Sequence, residues 1–401
     1  MLLSKLEVPS DCNIFMAKVD LDNFYHRIRL PSWIWPYFAL PPVKAGDMDL
    51  ECDASITVWP CCTTLPMGWS HAVLLAQIIH ENALNSLPGL SMRDRITADS
   101  DSKVNRVRHM VYIDDLLLFG IDSDAVGAVQ RQYIAAMSSI GLDPKHSKTV
   151  LPTSDCVECL GIELDGVSLA FGLSPVKLQR LVDLTHAILT VGRVTGERLG
   201  QLLGKWSWAC LPCRPAFAVF SATYRFVAVA RNREFDIWPS VRNELLCIAD
   251  LAPLLFTTLT DRWFDSIIAT DASSSGMGVV VAKRGGLSHD TDVVDLVERA
   301  RWSTIVASRW CFEEHINVLE CRAVQTAVRW LVSRPASAYS KVLILCDSQV
   351  VVGAISKGRS SAFQILTRLR SLSASILAGG FRLFLKWIST SINPADRASR
   401  L

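Results

Sequence analysis

Asp114 and Asp115 stand side by side in VYIDDLLLFG, residues 111–120, a run otherwise apolar enough to be a buried strand. Two carboxylates held a few ångströms apart repel each other, and one pKa climbs unless a cation neutralises them, so a divalent ion is the natural occupant. Adjacent acids between two β-rich runs also suit an ordinary solvated hairpin turn. A third acid, Asp20, ends another strand-like run in KVDLDNFYHRI, with Tyr25 five residues on. An acid from one strand and a pair from a neighbouring hairpin make a cradle for two metal ions roughly 3.5–4 Å apart, which stabilises attacking and leaving oxygens in phosphoryl transfer.

The C-terminal third repeats that logic with other spacings. Asp271 ends a strand before a glycine-bearing hairpin in IIATDASSSGMG, and Asp347 ends KVLILCD. Glu320 lies on an amphipathic helix in NVLECRAV, with Leu319, Ala323, Ala327 and Leu331 on its apolar side. Asp396 opens a terminal helix in SINPADRASR. Each acid alone reads as a turn cap; the ordered set of four points to chemistry.

The elements that must position these acids are legible from periodicity. FMAKVDL and RHMVYID read as strands, and SHAVLLAQIIHENAL as a helix whose period-3.6 positions are Val73, Leu74, Gln77, Ile78 and Leu84. Residues 174–250 read as mainly helical, beginning with SPVKLQRLVDLTHAIL, where a serine cap precedes a first-turn proline. From about residue 263 the texture becomes strand-hairpin-strand, helix, strand, helix, the pattern of a separate α/β unit. The expected division is 1–165, 166–262 and 263–401.

A chain of 401 residues that is 50% apolar can bury cores in two or three domains. Its net charge is only +2, yet residues 166–235 hold nine Lys/Arg against three Asp/Glu, a local +6 that would suit a polyanion or a solvated helical surface. There is no apolar run of about 18 residues to span a membrane, and the N-terminal MLLSKLEVPSD lacks a signal-peptide core. An intracellular location, cytoplasmic or nuclear, is expected. The twelve cysteines follow no disulfide framework and are expected as reduced, mostly packed thiols. Cys156/Cys159 and Cys210/Cys213 are Cys-x-x-Cys pairs, but about fifty residues separate them, too far for a zinc ribbon.

VYIDDLLLFG resembles the Tyr-x-Asp-Asp motif of reverse transcriptases, and KVDLDNFYHRI resembles the palm strand carrying their first catalytic aspartate. TTLPMGWSHAVLLAQ, residues 63–77, is similar to their Leu-Pro-x-Gly-Trp segment beside the templating base. GLDPKHSKTVL followed by CLGIELDG resembles the later palm elements. Four motifs in order are far more specific than one. The resemblance implies metal-binding, catalytic Asp20, Asp114 and Asp115, and substrate contacts from Tyr25, Pro66, Met67, Gly68, Gln77, Tyr112 and Lys148. Tyr25 would exclude a ribose 2′-hydroxyl, Gly68 would let the backbone approach the nucleotide, and Lys148 would lie near the leaving pyrophosphate. LSPVKLQRLVDL and LLGKWSWACLPCRP resemble the thumb and connection; Trp206 and Trp208 are expected in its core.

Asp271, Glu320, Asp347 and Asp396 likewise resemble the Asp-Glu-Asp-Asp set of ribonuclease H, which implies all four as catalytic metal ligands. Several members of that family carry a histidine before the last aspartate, whereas no histidine follows His315 here. The implied fold class is α/β: a right-hand polymerase palm of α+β type, a helical thumb or connection, and a C-terminal ribonuclease H-like α/β domain. The implied cofactor is Mg²⁺, two ions per site, with Mn²⁺ as a substitute; the implied partners are RNA and DNA template-primer, RNA/DNA hybrid and dNTPs, with no membrane. The texture suggests a segment of a retrotransposon polyprotein, DIRS-like ahead of Gypsy- or Pao-like, with fusion to other polyprotein domains expected. Only 19 residues precede Asp20, where reverse transcriptases carry basic fingers. The expectation is therefore an RNA-directed DNA polymerase with ribonuclease H, or else a catalytically defective, N-terminally truncated nucleic-acid-binding remnant.

Overall fold

A computed structural model describes residues 6–9, 11–97, 103–283, 287 and 292–400; part of the N-terminal segment read above for a leader lies outside them. The architecture is mixed α/β. Strands β1 (Phe15–Asp20), β2 (Arg108–Tyr112), β3 (Asp115–Gly120) and β4 (Val150–Thr153) form an antiparallel sheet in the order β2-β3-β1-β4. Helices α1 (Ala72–Asn85) and α2 (Ser123–Ser139) cover one face, against Ala17, Val19, Leu116 and Leu118.

The opposite face, with Met16, Met110, Leu117 and Phe119, packs on a small sheet of β5 (Val157–Cys159), β6 (Ile162–Leu164), β7 (Ala170–Gly172) and β8 (Phe256–Thr258). Alternate residues of DLLLFG thus serve two cores. That double cover is why the run is apolar throughout instead of alternating.

α1 departs from its expected face. Its buried positions are Ala72, Ala76, His80 and Leu84, while Val73, Leu74 and Ile78 are exposed. Two alanines, Leu84 and a hydrogen-bonded histidine fill the interface, and the other aliphatics of the helix lie on its exposed side.

The middle of the chain is a helical unit of α3 (Pro175–Val191), α4 (Gly196–Ala209), α5 (Ala222–Ala230) and α6 (Pro239–Leu251) around Leu199, Trp206, Phe226 and Leu245. Pro175 occupies the first turn as expected, but Ser174 makes no side-chain capping bond. Trp206 is fully buried and donates to Thr185 Oγ1 at 2.9 Å. Trp208, expected in the same core, is instead 42% exposed and lines a groove with Lys177, Arg180, Gln201 and Lys205. Two residues on, the helix has turned it about 200° from Trp206.

The C-terminal unit is a five-stranded sheet, β9 (Trp263–Ala272), β10 (Gly276–Lys283), β11 (Ser303–Arg309), β12 (Lys341–Cys346) and β13 (Arg382–Trp387), in the order β11-β10-β9-β12-β13. β9 pairs antiparallel with β10 and parallel with β12. Helices α7 (Ile316–Val332), α8 (Gln349–Lys357) and α9 (Phe363–Gly379) pack on one face, against Phe264, Ile268, Val342 and Ile344. The terminal helix α10 (Asp396–Ser399) is a single turn against β9, β10 and β11.

All twelve cysteines are free, but Cys52, Cys156, Cys247 and Cys311 are exposed, so packing accounts for only some of them. Among the described residues no helix is long and apolar enough to cross a membrane.

Candidate functional site

In the N-terminal sheet, Asp20 faces Asp115 across the β1-β3 ladder, and Asp115 faces Tyr112 across β2-β3. A two-residue loop, Ile113–Asp114, joins β2 to β3. The Leu21 N–H donates to the Asp114 carbonyl at 3.0 Å, and the Lys145 N–H to the Asp20 carbonyl at 2.7 Å, so backbone bonds hold the three acids at one sheet end. Lys148 Nζ donates to Asp20 Oδ2 at 2.8 Å, which raises the lysine pKa. Lys18 Nζ lies 3.0 Å from Asp115 Oδ1, an ion pair without hydrogen-bond geometry, which leaves that buried oxygen with no hydrogen-bond donor. Burial, then the charges of Asp115 and Asp20, push the Asp114 pKa up. The raised pKa marks uncompensated negative charge, which a divalent cation would relieve.

Ile113 sits at φ +56°. For a β-branched residue this conformation is strained by roughly 1–3 kcal/mol and persists only where surroundings enforce it. Here α1 supplies the enforcement. The Ile113 N–H donates to Gln77 Oε1 at 2.8 Å, and Gln77 Nε2 donates to the Val111 carbonyl at 3.1 Å and Glu81 Oε1 at 2.9 Å. Gln77, expected among the substrate contacts, thus has its amide committed to the hairpin backbone. His80, one turn along, contacts the Ile113 carbonyl at 2.7 Å and the Tyr133 hydroxyl at 2.8 Å.

Tyr25 is half-buried close enough to Asp114 and Tyr112 that, after burial, their charges raise its pKa. Tyr112 is half exposed, and Met67 points into solvent beside half-buried Pro66. Gly68 lies at φ +95° with open space where a Cβ would be, so the backbone conformation, not a protein contact, demands glycine.

The second set of acids also converges. Asp271 accepts from Asn393 Nδ2 at 3.2 Å and from the Ser399 hydroxyl. Glu320 Oε1 accepts weakly from the Ala272 N–H at 3.3 Å, while its Oε2 is buried with no donor. Asp347 Oδ2 accepts from Thr390 at 2.8 Å, and its Oδ1 is likewise buried without one. Arg400 grips Asp396 Oδ1 through two nitrogens at 2.9 and 2.7 Å. Burial and then the charges of Asp347 and Asp271 push Glu320 up to about 9; burial, with Asp347 and Asp396 adding to it, raises Asp271 to about 6.

Among the described residues, only Glu320, Asp347 and the Cys346 thiol place ligand atoms all within 4.8 Å of one another; Asp271 and Asp396 lie outside that group, and Asp20, Asp114 and Asp115 share a sheet end without closing to that distance. The two Cys-x-x-Cys pairs form no such group. The orphaned buried oxygens of Glu320 and Asp347 are what a hard cation fits, and Mg²⁺ would take these oxygens and leave the Cys346 thiol aside. Sequence reasoning missed the groups that orient these acids. For Asn393, Ser399 and Arg400 the signal was present in SINPADRASR; for His80 it was a lone histidine one turn after Gln77; for Tyr133 there was none.

Residues 8–164 match the family model described as reverse transcriptase (RNA-dependent DNA polymerase). Among solved structures the chain is similar to foamy viral protease-reverse transcriptase. With double-stranded DNA that protein gives 14% identity and TM-score 0.49, covering 97% of this chain and 70% of that one. A dRH form with double-stranded DNA gives 13% and 0.48, covering 96% and 59%. The complex with an RNA/DNA hybrid gives 13% and 0.46, covering 99% and 68%. This chain therefore spans well under two thirds of the dRH form. No curated protein matches the chain.

Proposed function

We propose that this chain is the reverse transcriptase–ribonuclease H portion of a retroelement polyprotein, built from a palm (1–165), a helical thumb or connection (166–262) and a ribonuclease H-like domain (263–401). It would extend a DNA primer with dNTPs on RNA or DNA templates and hydrolyse the RNA of an RNA/DNA hybrid. The observation that carries the reading is the register that sets Asp20 opposite Asp115, with Asp114 at the adjoining turn, inside the region matching the reverse transcriptase family.

Asp20, Asp114 and Asp115 would hold divalent cations at one centre, and Asp271, Glu320, Asp347 and Asp396 at the other. Such ions, when bound, supply Lewis acidity at the attacking and leaving oxygens of phosphoryl transfer. The chain's own residues do the rest. Lys18 pairs with Asp115 and Lys148 with Asp20, and the exposed Lys148 lies within reach of a leaving pyrophosphate. Tyr25, packed beside the acids, closes the space a 2′-hydroxyl would need. At the second centre Asn393 and Ser399 fix Asp271, while Glu320 and Asp347 present bare oxygens. Lys177, Arg180, Lys205 and Trp208 offer a cationic, partly aromatic groove whose duplex contacts would be sequence-indifferent and salt-sensitive.

Primer extension with Mg²⁺, comparing the wild type with Asp114→Asn, tests the first activity: loss in the variant is expected, and equal signal from both proteins rejects it. Asp347→Asn is expected to abolish cleavage of an RNA/DNA hybrid; undiminished cleavage refutes the second.

A further inference from the structure

The buried pair His80 and Tyr133 lies behind the Asp114–Asp115 turn and contacts neither acid. His80 is fully buried, and Tyr133, on α2, is fully buried as well. A carbonyl can only accept, so the 2.7 Å contact to the Ile113 carbonyl requires the proton on Nδ1. The Nε2 lone pair then accepts from the Tyr133 O–H at 2.8 Å. Burial lowers the histidine pKa to about 4, so the ring is neutral and has one donor and one acceptor to satisfy. Both are used. Phe24 packs against one side of the ring at 5.5 Å between centroids, which blocks rotation away from the turn.

We propose that His80, fixed in its Nδ1–H tautomer by the Ile113 carbonyl and braced at Nε2 by Tyr133, is a positioning residue that clamps the strained Ile113 carbonyl and thereby aims Asp114 and Asp115 at their common cation. Gln77 holds the N–H of Ile113 and His80 holds its C=O, so the residue before the acid pair is pinned on both sides from one helix. Without the Tyr133 hydroxyl the carbonyl still demands Nδ1–H, but the buried Nε2 lone pair loses its donor and the ring loses one of its two anchors, so its grip on the turn loosens. The inference rests on the polymerase reading for its kinetic consequence, while the tautomer stands independently of it.

Two measurements test it. In ¹⁵N-histidine NMR of the full chain, wild-type His80 should show the Nδ1–H tautomer, and Tyr133→Phe should keep it while moving the Nε2 resonance to that of a lone pair without a donor; a wild-type Nε2–H tautomer overturns the clamp whatever the activity. In primer extension, Tyr133→Phe and His80→Ala should lower kcat by about 10- to 100-fold and raise the Mg²⁺ needed for half-maximal rate, with template-primer KM unchanged. His80→Asn, whose amide nitrogen can replace Nδ1–H, should recover much of the loss. Hybrid cleavage serves as the folding control and should stay at wild-type rate in all three. Unchanged kcat and Mg²⁺ dependence, or an Asn variant no better than Ala, overturns the proposal. A wild type that folds with the expected tautomer but extends no primer sinks the polymerase reading alone.

Discussion

Glu320 carries the clearest electrostatic signature of the chain. Its carboxyl is raised from 4.5 to about 9 in the metal-free fold, first by burial and then by Asp347 and Asp271. Between those values the folded state binds more protons than the unfolded one, so metal-free stability should fall as pH rises through the window. Thermal melts in chelator between pH 5 and 9 should show that decline, Glu320→Gln should flatten it, and Mg²⁺ should offset it by binding only the native form. An identical slope in the variant would remove Glu320 as its source. Tyr25 supports a second expectation: Tyr25→Ala should weaken discrimination against ribonucleotides by roughly 10²-fold, the scale on which a site distinguishes one hydroxyl. Comparing dNTP and rNTP incorporation by primer extension reads this directly. Glu320 stood out in the sequence as an acid on an amphipathic helix, and Tyr25 through the resemblance of its motif. Glu320's missing donor did not, since burial and partners are properties of the assembled fold.

Among the elements, the short helix α10 depends most on close approach. Asp396 begins it and Ser399 ends it, so its seating against β9 and β10 decides whether Asp396 and Asp271 share a site. Gly278 makes that seating possible: a Cβ there would lie 2.5 Å from the Ala395 carbonyl oxygen and 2.9 Å from the Ser399 nitrogen. Gly278→Ala should therefore push α10 outward and cut hybrid cleavage while primer extension continues; unchanged cleavage would show that α10 can yield without cost. The strand-hairpin-strand run around Gly278 was readable from alternation and glycine punctuation. The contact was not, because it joins residues more than a hundred positions apart. In α1 the sequence pattern misleads. Its bulkiest aliphatics suggested a buried face, yet Val73, Leu74 and Ile78 are exposed while Ala72, Ala76, His80 and Leu84 are buried.

At the scale of the whole molecule, the units are tied by ion pairs, one of them fully buried. Glu7 pairs with Lys341 at 2.6 Å, both buried, and joins the N-terminal segment to the start of β12; burial lowers Lys341 to about 8 despite the partner. Arg370 on α9 donates to Glu244 on α6 at 2.7 Å and to the Ala218 and Val219 carbonyls. Glu244 also accepts the Ser221, Ala222 and Thr223 N–H groups at the start of α5. Breaking a buried pair from one side strands a charge at a cost of roughly 3–5 kcal/mol, whereas replacing both partners with apolar residues can be neutral. Glu7→Leu alone should lower Tm sharply, and Glu7→Leu with Lys341→Met should restore most of the loss; equal melting of the single and double variants would contradict the pairing. By itself the sequence determined which acids stand out against apolar runs, the strands that end in them, and the α/β texture of both ends, because apolar periodicity and the residue types that interrupt it are local. Only the tertiary structure decided which oxygens lack donors, which backbone turn is strained and what restrains it, and how the units are joined. Those properties depend on burial and on partners distant in sequence, which no local pattern encodes.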